Sequence, residues 1–287
     1  LLGCEEDVVA VLNAEFPFSM YGVLNPLADT QYVRVFRVEG TLAPADDGPL
    51  DARFVSVDLT TGEERVWRDS LIAISDGSVG YVYYHPFRVE WEHAYRLSIE
   101  GSDGARSTVE VEVPLRTNLI VDAPDTTEGV RLPAHIVGIP PVVFRSVVEV
   151  WVRYVIGTDP AGNPFYESLI WSIPYDDELR RTAEGWSIVV DLDDAYRSVA
   201  GEVQRDLRYV PRWGIALQLI SFRTVIGNAE WSPPGGVFDP NVLIQPGVLT
   251  NVENGFGFVA AGYRLQRSWT LPFEVVRKSS FVPNLPG

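Results

Sequence analysis

From Phe18 to Pro114 apolar residues recur with a period of two. Val55, Val57 and Leu59 alternate with Phe54, Ser56 and Asp58, a turn follows at Thr61-Gly62-Glu63, and Arg65-Val66-Trp67 continues, which predicts a β-hairpin. A second hairpin is predicted where Tyr95, Leu97 and Ile99 alternate along one strand, Ser102-Asp103-Gly104 turns the chain, and Val109, Val111 and Val113 face inward opposite Glu110 and Glu112. Short strands at this spacing predict a sandwich.

The pattern breaks between Pro114 and Pro133, where Asp122-Ala123-Pro124-Asp125-Thr126-Thr127 gathers turn formers and acids. A domain boundary near residue 117 follows. Beyond it the apolar runs lengthen: Val147 to Ile156, Ser168 to Ile173, Ser187 to Val190 and Ile215 to Val225 favour β-branched and aromatic residues. One segment differs. Tyr196, Val199, Val203 and Leu207 recur at helical spacing, which predicts a helix over residues 194–209 capped by Asp193 or Asp194. Residues 227–254 lose all periodicity around Trp231-Ser232-Pro233-Pro234-Gly235-Gly236 and Asp239-Pro240-Asn241, so a long surface loop is expected there. The tail from Ser279, with Pro283 and Pro286, reads as a frayed end or a loose strap. The expected division is therefore a tether over 1–17, a β-sandwich over 18–116, and a second β-rich domain with one helix over 117–287.

Composition narrows the function. At 287 residues and 46% hydrophobic, the chain can bury sizeable cores, yet no apolar run after residue 4 approaches the roughly 20 residues of a membrane-spanning helix. A formal charge of −16 argues against nucleic acid as a partner and against electrostatic docking on anionic lipid. With a single cysteine, no internal disulfide can form, and stability must come from packing.

That cysteine closes Leu1-Leu2-Gly3-Cys4, the spelling of a bacterial lipobox, in which a signal peptidase cuts just before a cysteine whose sulfur carries diacylglycerol. Residues 1–3 would then be absent from the mature protein, and the body would be tethered to the bilayer through acylated Cys4. A buried core thiol is the alternative, but Cys4 sits beside Glu5-Glu6-Asp7. Those three acids read either as a solvated spacer or as an export cue.

Several stretches carry a resemblance. Tyr95-Arg96-Leu97-Ser98-Ile99 is similar to the tyrosine-corner strand of immunoglobulin-like and fibronectin type III domains, whose phenol hydrogen-bonds back across a loop. Together with Phe18-Ser19-Met20-Tyr21-Gly22-Val23-Leu24-Asn25-Pro26 and Asn251-Val252-Glu253-Asn254-Gly255-Phe256-Gly257-Phe258, in this order, it resembles the DUF4249 lipoproteins. The resemblance implies an N-terminal immunoglobulin-like sandwich, a second β-rich domain, and an Asn-x-Glu-Asn-Gly-x-Gly element near the end. It further implies Glu5, Glu6 and Asp7 as a surface-export signal of the Bacteroidota type. The expected location is the outer membrane facing the cell exterior, beside a TonB-dependent β-barrel transporter.

Candidate chemistry is sparse. Gly255-Phe256-Gly257-Phe258-Val259-Ala260 has the letters of a dinucleotide fingerprint, but strand-like residues follow where a helix is needed, so its glycines are expected to ease a bulge or turn. His85, His93 and His135 form no ligand pair for a transition metal, and the acidic turns would at most take up calcium adventitiously. No cofactor is expected. Neither a Gly-x-Ser-x-Gly elbow nor a spare cysteine offers a nucleophile, so the chain reads as a binding protein and not an enzyme. Of the eight tryptophans, Trp67, Trp151, Trp171 and Trp186 lie in strand-like segments and read as core. Trp231 and Phe238, in the Pro/Gly loop, are the candidate contacts with a partner or ligand, against the alternative that Trp231 packs back on its own domain. The leading expectation is an accessory component of a transporter. A structural subunit of a surface assembly or adhesin, and a hydrolase of extracellular polymer, are the alternatives.

Overall fold

The computed structural model describes residues 16–38, 50–73, 79–207, 214–231, 250–283 and 285. It is mainly β and divides into two compact units, Leu1–Pro114 with Asn228–Gly262, and Leu115–Gly227 with Tyr263–Gly287. The first crossing lies close to the expected boundary. The stretch Asn228–Gly262, however, belongs with the first unit, where the sequence reading assigns it to the second.

The first unit is a sandwich of two sheets. One contains β1 (Phe18–Leu24), β2 (Gln31–Arg37), β6 (Val79–His85) and β5 (Arg68–Ala73) in that spatial order, all antiparallel, with the first part of β16 (Gly255–Trp269) added parallel to β1. The other contains β4 (Glu64–Val66), β3 (Ala52–Asp58), β7 (Ala94–Gly101) and β8 (Arg106–Glu112). Alternation sends Phe18, Met20, Val33 and Val35 from one sheet, and Phe54, Leu97, Ile99, Val109 and Val111 from the other, into one shared core. Tyr95 closes the corner: its hydroxyl accepts the Glu90 N–H at 2.9 Å while its ring is buried. On β3 the inward set includes two polar residues, Ser56 and Asp58. Both are satisfied in place. The Trp67 indole N–H donates to Ser56 Oγ at 2.8 Å, and Asp58 accepts the N–H groups of Thr60 and Thr61 while lying 2.9 Å from His93 Nδ1.

In the second unit, β9 (Asn118–Val121), β10 (Arg131–Val137), β14 (Gly185–Asp191) and β13 (Arg180–Arg181) form a small antiparallel sheet. A larger sheet is built on β11 (Val142–Thr158), which pairs with β12 (Pro164–Pro174) on one side and β15 (Ile215–Gly227) on the other. The last part of β16 lies beside β15, where Gln266 and Ser268 both donate to Ser221 Oγ. β11 and β12 outrun their expected spans at both ends, and β15 outruns its own only at the C-terminal end.

Helix α1 (Leu192–Leu207) begins two residues earlier than expected, and residues 208 and 209 lie outside the described residues. The reason is its cap. Asp191 Oδ1 accepts the N–H groups of Asp193 and Asp194, leaving those two acids inside the first turn. Ala195, Val199 and Val203 line its buried stripe. The tail is docked: after the short helix α2 (Phe273–Val276), Phe281 is buried edge-to-face with Tyr196, ring centroids 5.1 Å apart, and Val282 bridges β15 at Ala216.

Candidate functional site

Most sandwich sheets turn apolar residues inward and polar ones outward. The sheet built on β1 and β2 does not, because both alternating sets of FSMYGVL and QYVRVFR are rich in aromatic or aliphatic residues. With Phe18, Met20, Val33 and Val35 inward, Tyr21, Tyr32 and Phe36 must face outward. The neighbouring strands extend the same face. Register places Phe256 and Phe36 on either side of Ser19, and Phe258 and Arg34 on either side of Tyr21, while Tyr32 pairs with Tyr84.

The rings on this face touch one another. Tyr32 and Tyr84 stack at 6.2 Å between centroids, and the Arg34 guanidinium lies 4.3 Å over the Phe36 ring. Burial raises the Tyr21 hydroxyl above its ordinary pKa, so it stays protonated through the physiological range. Tyr32 and Val23 remain widely open, at 50% and 43% exposure. Tyr, Trp and Arg gathered on a partly open apolar face are the residue types enriched at protein interfaces.

Trp231 belongs to it. Its indole N–H donates to the Ala261 carbonyl at 2.9 Å, and its ring meets the edge of Phe258 at 5.1 Å. The side chain thus packs back on its own unit and forms one border of the aromatic face. Phe238, Cys4, Glu5, Glu6 and Asp7 lie outside the described residues, as does most of the 227–254 loop.

The Asn-x-Glu-Asn-Gly-x-Gly element holds this face in place. Asn251 is used twice, its amide donating to the Val259 carbonyl at 2.6 Å and its oxygen accepting the Val259 N–H at 3.0 Å. Glu253 bridges Thr108 on β8, Asn254 turns at φ 51°, and the Ser107 hydroxyl donates to the Asn254 carbonyl at 2.6 Å. Gly257, at φ 106°, lies so close to β1 that a Cβ would come within 2.1 Å of the Met20 carbonyl oxygen. The glycines therefore admit a neighbouring strand, with no helix following and no phosphate cradle. Gly101, which ends the Tyr95 strand, sits 3.3 Å by the same measure from the Phe18 ring. All three stretches behind the family resemblance meet around β1.

The other sheet of this unit carries a shallow cleft of about 650 Å³ on its outer face, over Val55, with Arg53, Arg96, Arg106, Glu64 and Glu100 around it. Two of these guanidiniums are already bound to carboxylates of that face, Arg53 to Glu64 at 2.8 Å and Arg96 to Glu110 at 2.6 Å. Asp58 and His93 form a close acid–imidazole contact, but the acid is buried, and Ser56 beside it is occupied by Trp67. Burial works against the ionised form of Asp58, yet the His93 contact and the two turn amides outweigh it and hold the carboxyl below its usual value. The pair fastens the turn after β3 to the start of β7. His85 is pushed down by burial and by Arg65 and Arg68. His135 lies in the other unit, on β10, in an exposed contact 2.9 Å from Asp122. Among the described residues no group of three or more His, Cys, Asp or Glu is placed to hold a metal ion, and no helix is long and apolar enough to cross a membrane.

The sequence reading missed the aromatic face, although its signal is legible: β1 and β2 lack a polar set. It also read Trp151 as core, whereas the structure leaves Trp151 38% exposed on an outward sheet face of the second unit.

No family model matches the chain. No curated protein matches it. Among solved structures, it is similar to a crystal structure of pullulanase from Anoxybacillus sp. LM18-11, at 13% identity and a TM-score of 0.22 over 72% of this chain. The chain spans 24% of the length of that protein. A likeness this weak assigns neither an activity nor a substrate.

Proposed function

We propose that the chain is an outer-membrane lipoprotein, anchored by acylated Cys4 and exposed at the cell surface, that acts without catalysis as a binding or accessory component of a TonB-dependent transporter. The observation that carries this reading is the outward aromatic face around β1. Trp, Tyr and Arg are the residues that most often anchor protein interfaces, and Trp231, Tyr21, Tyr32 and Arg34 are gathered there over an apolar base. The face is also where the family-like stretches converge, so the resemblance concerns one coherent piece of the fold. The transporter's extracellular rim is the partner implied by that resemblance, with Glu5, Glu6 and Asp7 as the export cue.

Two acyl chains on Cys4 suffice for the tether, since each buried methylene contributes about 0.8 kcal/mol and two chains hold where one exchanges. Expressed with a native leader, the parent should fractionate with the outer membrane and Cys4→Ser should be released. Purification in mild detergent should recover a β-barrel transporter identified by mass spectrometry, and Tyr32→Ala should lower that recovery by about tenfold or more. Recovery of the parent free of any barrel, or firm envelope association of Cys4→Ser, would overturn the reading.

A further inference from the structure

The larger sheet of the second unit has one face in the core, with Val148, Val150, Val152, Ile220 and Phe222 each at most 1% exposed. By alternation the opposite face carries Glu149, Trp151 and Arg153 from β11. Register sets these beside Ser172, Ile170 and Ser168 on β12, and Glu149 and Trp151 beside Ser221 and Leu219 on β15. The hydrogen bonds of Gln266 and Ser268 to Ser221 put those two side chains on the same face, and Arg264 shares their parity.

Three bands result. Ile170, Trp151 and Leu219 make an apolar row one residue wide, with Trp151 38% and Ile170 51% exposed. Same-face neighbours along a strand are about 7 Å apart, so polar rows begin immediately on both sides. On one side stand Ser172, Ser268, Gln266 and the Glu149–Arg223 pair at 2.6 Å. On the other stand Ser168 and Arg153, whose guanidinium is held 3.8 Å over the Tyr166 ring.

Charge separates this face from the rest of the chain. It carries Arg153, Arg223 and Arg264 against Glu149, on a chain whose formal net charge is −16. Once Arg223 and Glu149 are paired, Arg153 and Arg264 remain outside any ion pair among the described residues. A carboxylate is the natural complement of a fixed guanidinium, and a narrow indole row bordered by hydroxyls and an amide is the complement of a sugar ring.

We propose that this face binds an anionic polysaccharide, a polymer of carboxylate-bearing pyranoses. Trp151 meets the C–H face of one ring, Arg153 and Arg264 receive carboxylates, and Ser168, Ser172, Ser268 and Gln266 exchange hydrogen bonds with ring hydroxyls. An apolar strip one residue wide is too narrow for the desolvated centre of a protein interface. Two guanidiniums outside any ion pair among the described residues suit a polymer with one charge per ring better than a duplex with one charge per about 1.7 Å. The proposal concerns the other unit and stands apart from the transporter reading.

The test is titration of the full chain with polygalacturonate, dextran and poly-L-glutamate at two salt concentrations. Polygalacturonate should bind, more weakly as salt rises, and both other polymers should bind at least about tenfold more weakly. Trp151→Ala should weaken polygalacturonate binding about tenfold with an unchanged melting curve, Trp151→Tyr should largely restore it, and Arg153→Ala should reduce both affinity and salt dependence. Equal binding of poly-L-glutamate would make the face a general acidic-polymer sink, and equal binding of dextran would remove the role of charge. Either result, or full affinity in Trp151→Ala, or no binding of polygalacturonate, overturns the proposal.

Discussion

Single residues decide where the first unit can close. Gly257 is the sharpest case, since both its φ of 106° and the Met20 carbonyl 2.1 Å from any added Cβ exclude a side chain. Gly257→Ala should therefore destabilise the unit by roughly 3 kcal/mol or more, visible as a lowered urea midpoint. Asp58 makes a second prediction, with a sign. Its folded carboxyl is held below the ordinary value of 3.8, so the stabilisation is complete above that value and is lost as pH falls through the depressed folded one. Asp58→Asn should lower stability at neutral pH and flatten the acid limb of the stability profile, as measured by denaturant melts from pH 3 to 7. The inward orientation of Asp58 was not legible in the sequence. Val55 and Val57 alternate with it as β-branched apolar residues, and it is the Trp67 contact to Ser56, with the His93 contact and the Thr60 and Thr61 amides at Asp58, that lets two polar residues share the core face with Phe54.

Elements with strong local grammar were legible, and those built by distant contacts were not. The hairpin of β7 and β8 matches its expected alternation residue for residue, because a tight turn sets its register. Helix α1 was legible from Val199 and Val203, but its start was not: Asp193 and Asp194, the caps expected from the sequence, lie inside the first turn, and Asp191 caps it instead. Asp191→Ala should cost about 1 kcal/mol in thermal or urea unfolding, while Asp194→Ala should cost less, because only Asp191 accepts the first-turn amides. The aromatic face was half legible: β1 and β2 lack a polar alternating set, but Phe256, Phe258 and Trp231 join it only after β16 is laid beside β1. Trp151 fails likewise: a strand tryptophan is usually core, and only the register of β12, β11 and β15 turns it outward.

At the scale of the whole chain, the two-unit β architecture followed from periodicity, but the assignment of Asn228–Gly262 did not, because nothing local marks a strand that returns to an earlier domain. Net charge works at this scale as well. With a formal charge of −16, the unacylated chain should not cosediment with vesicles rich in anionic phospholipid even at low ionic strength, whereas a form carrying the proposed acyl chains on Cys4 should, as a sedimentation assay would record. The parallel ladder of β1 with β16 has a consequence for biogenesis. β1 waits for the far later β16 before its sheet is complete, so the first unit cannot close until β16 has emerged. A ribosome-stalled chain ending before Gly255 should remain protease-sensitive from Phe18 onward, and should acquire resistance only once β16 is free to join.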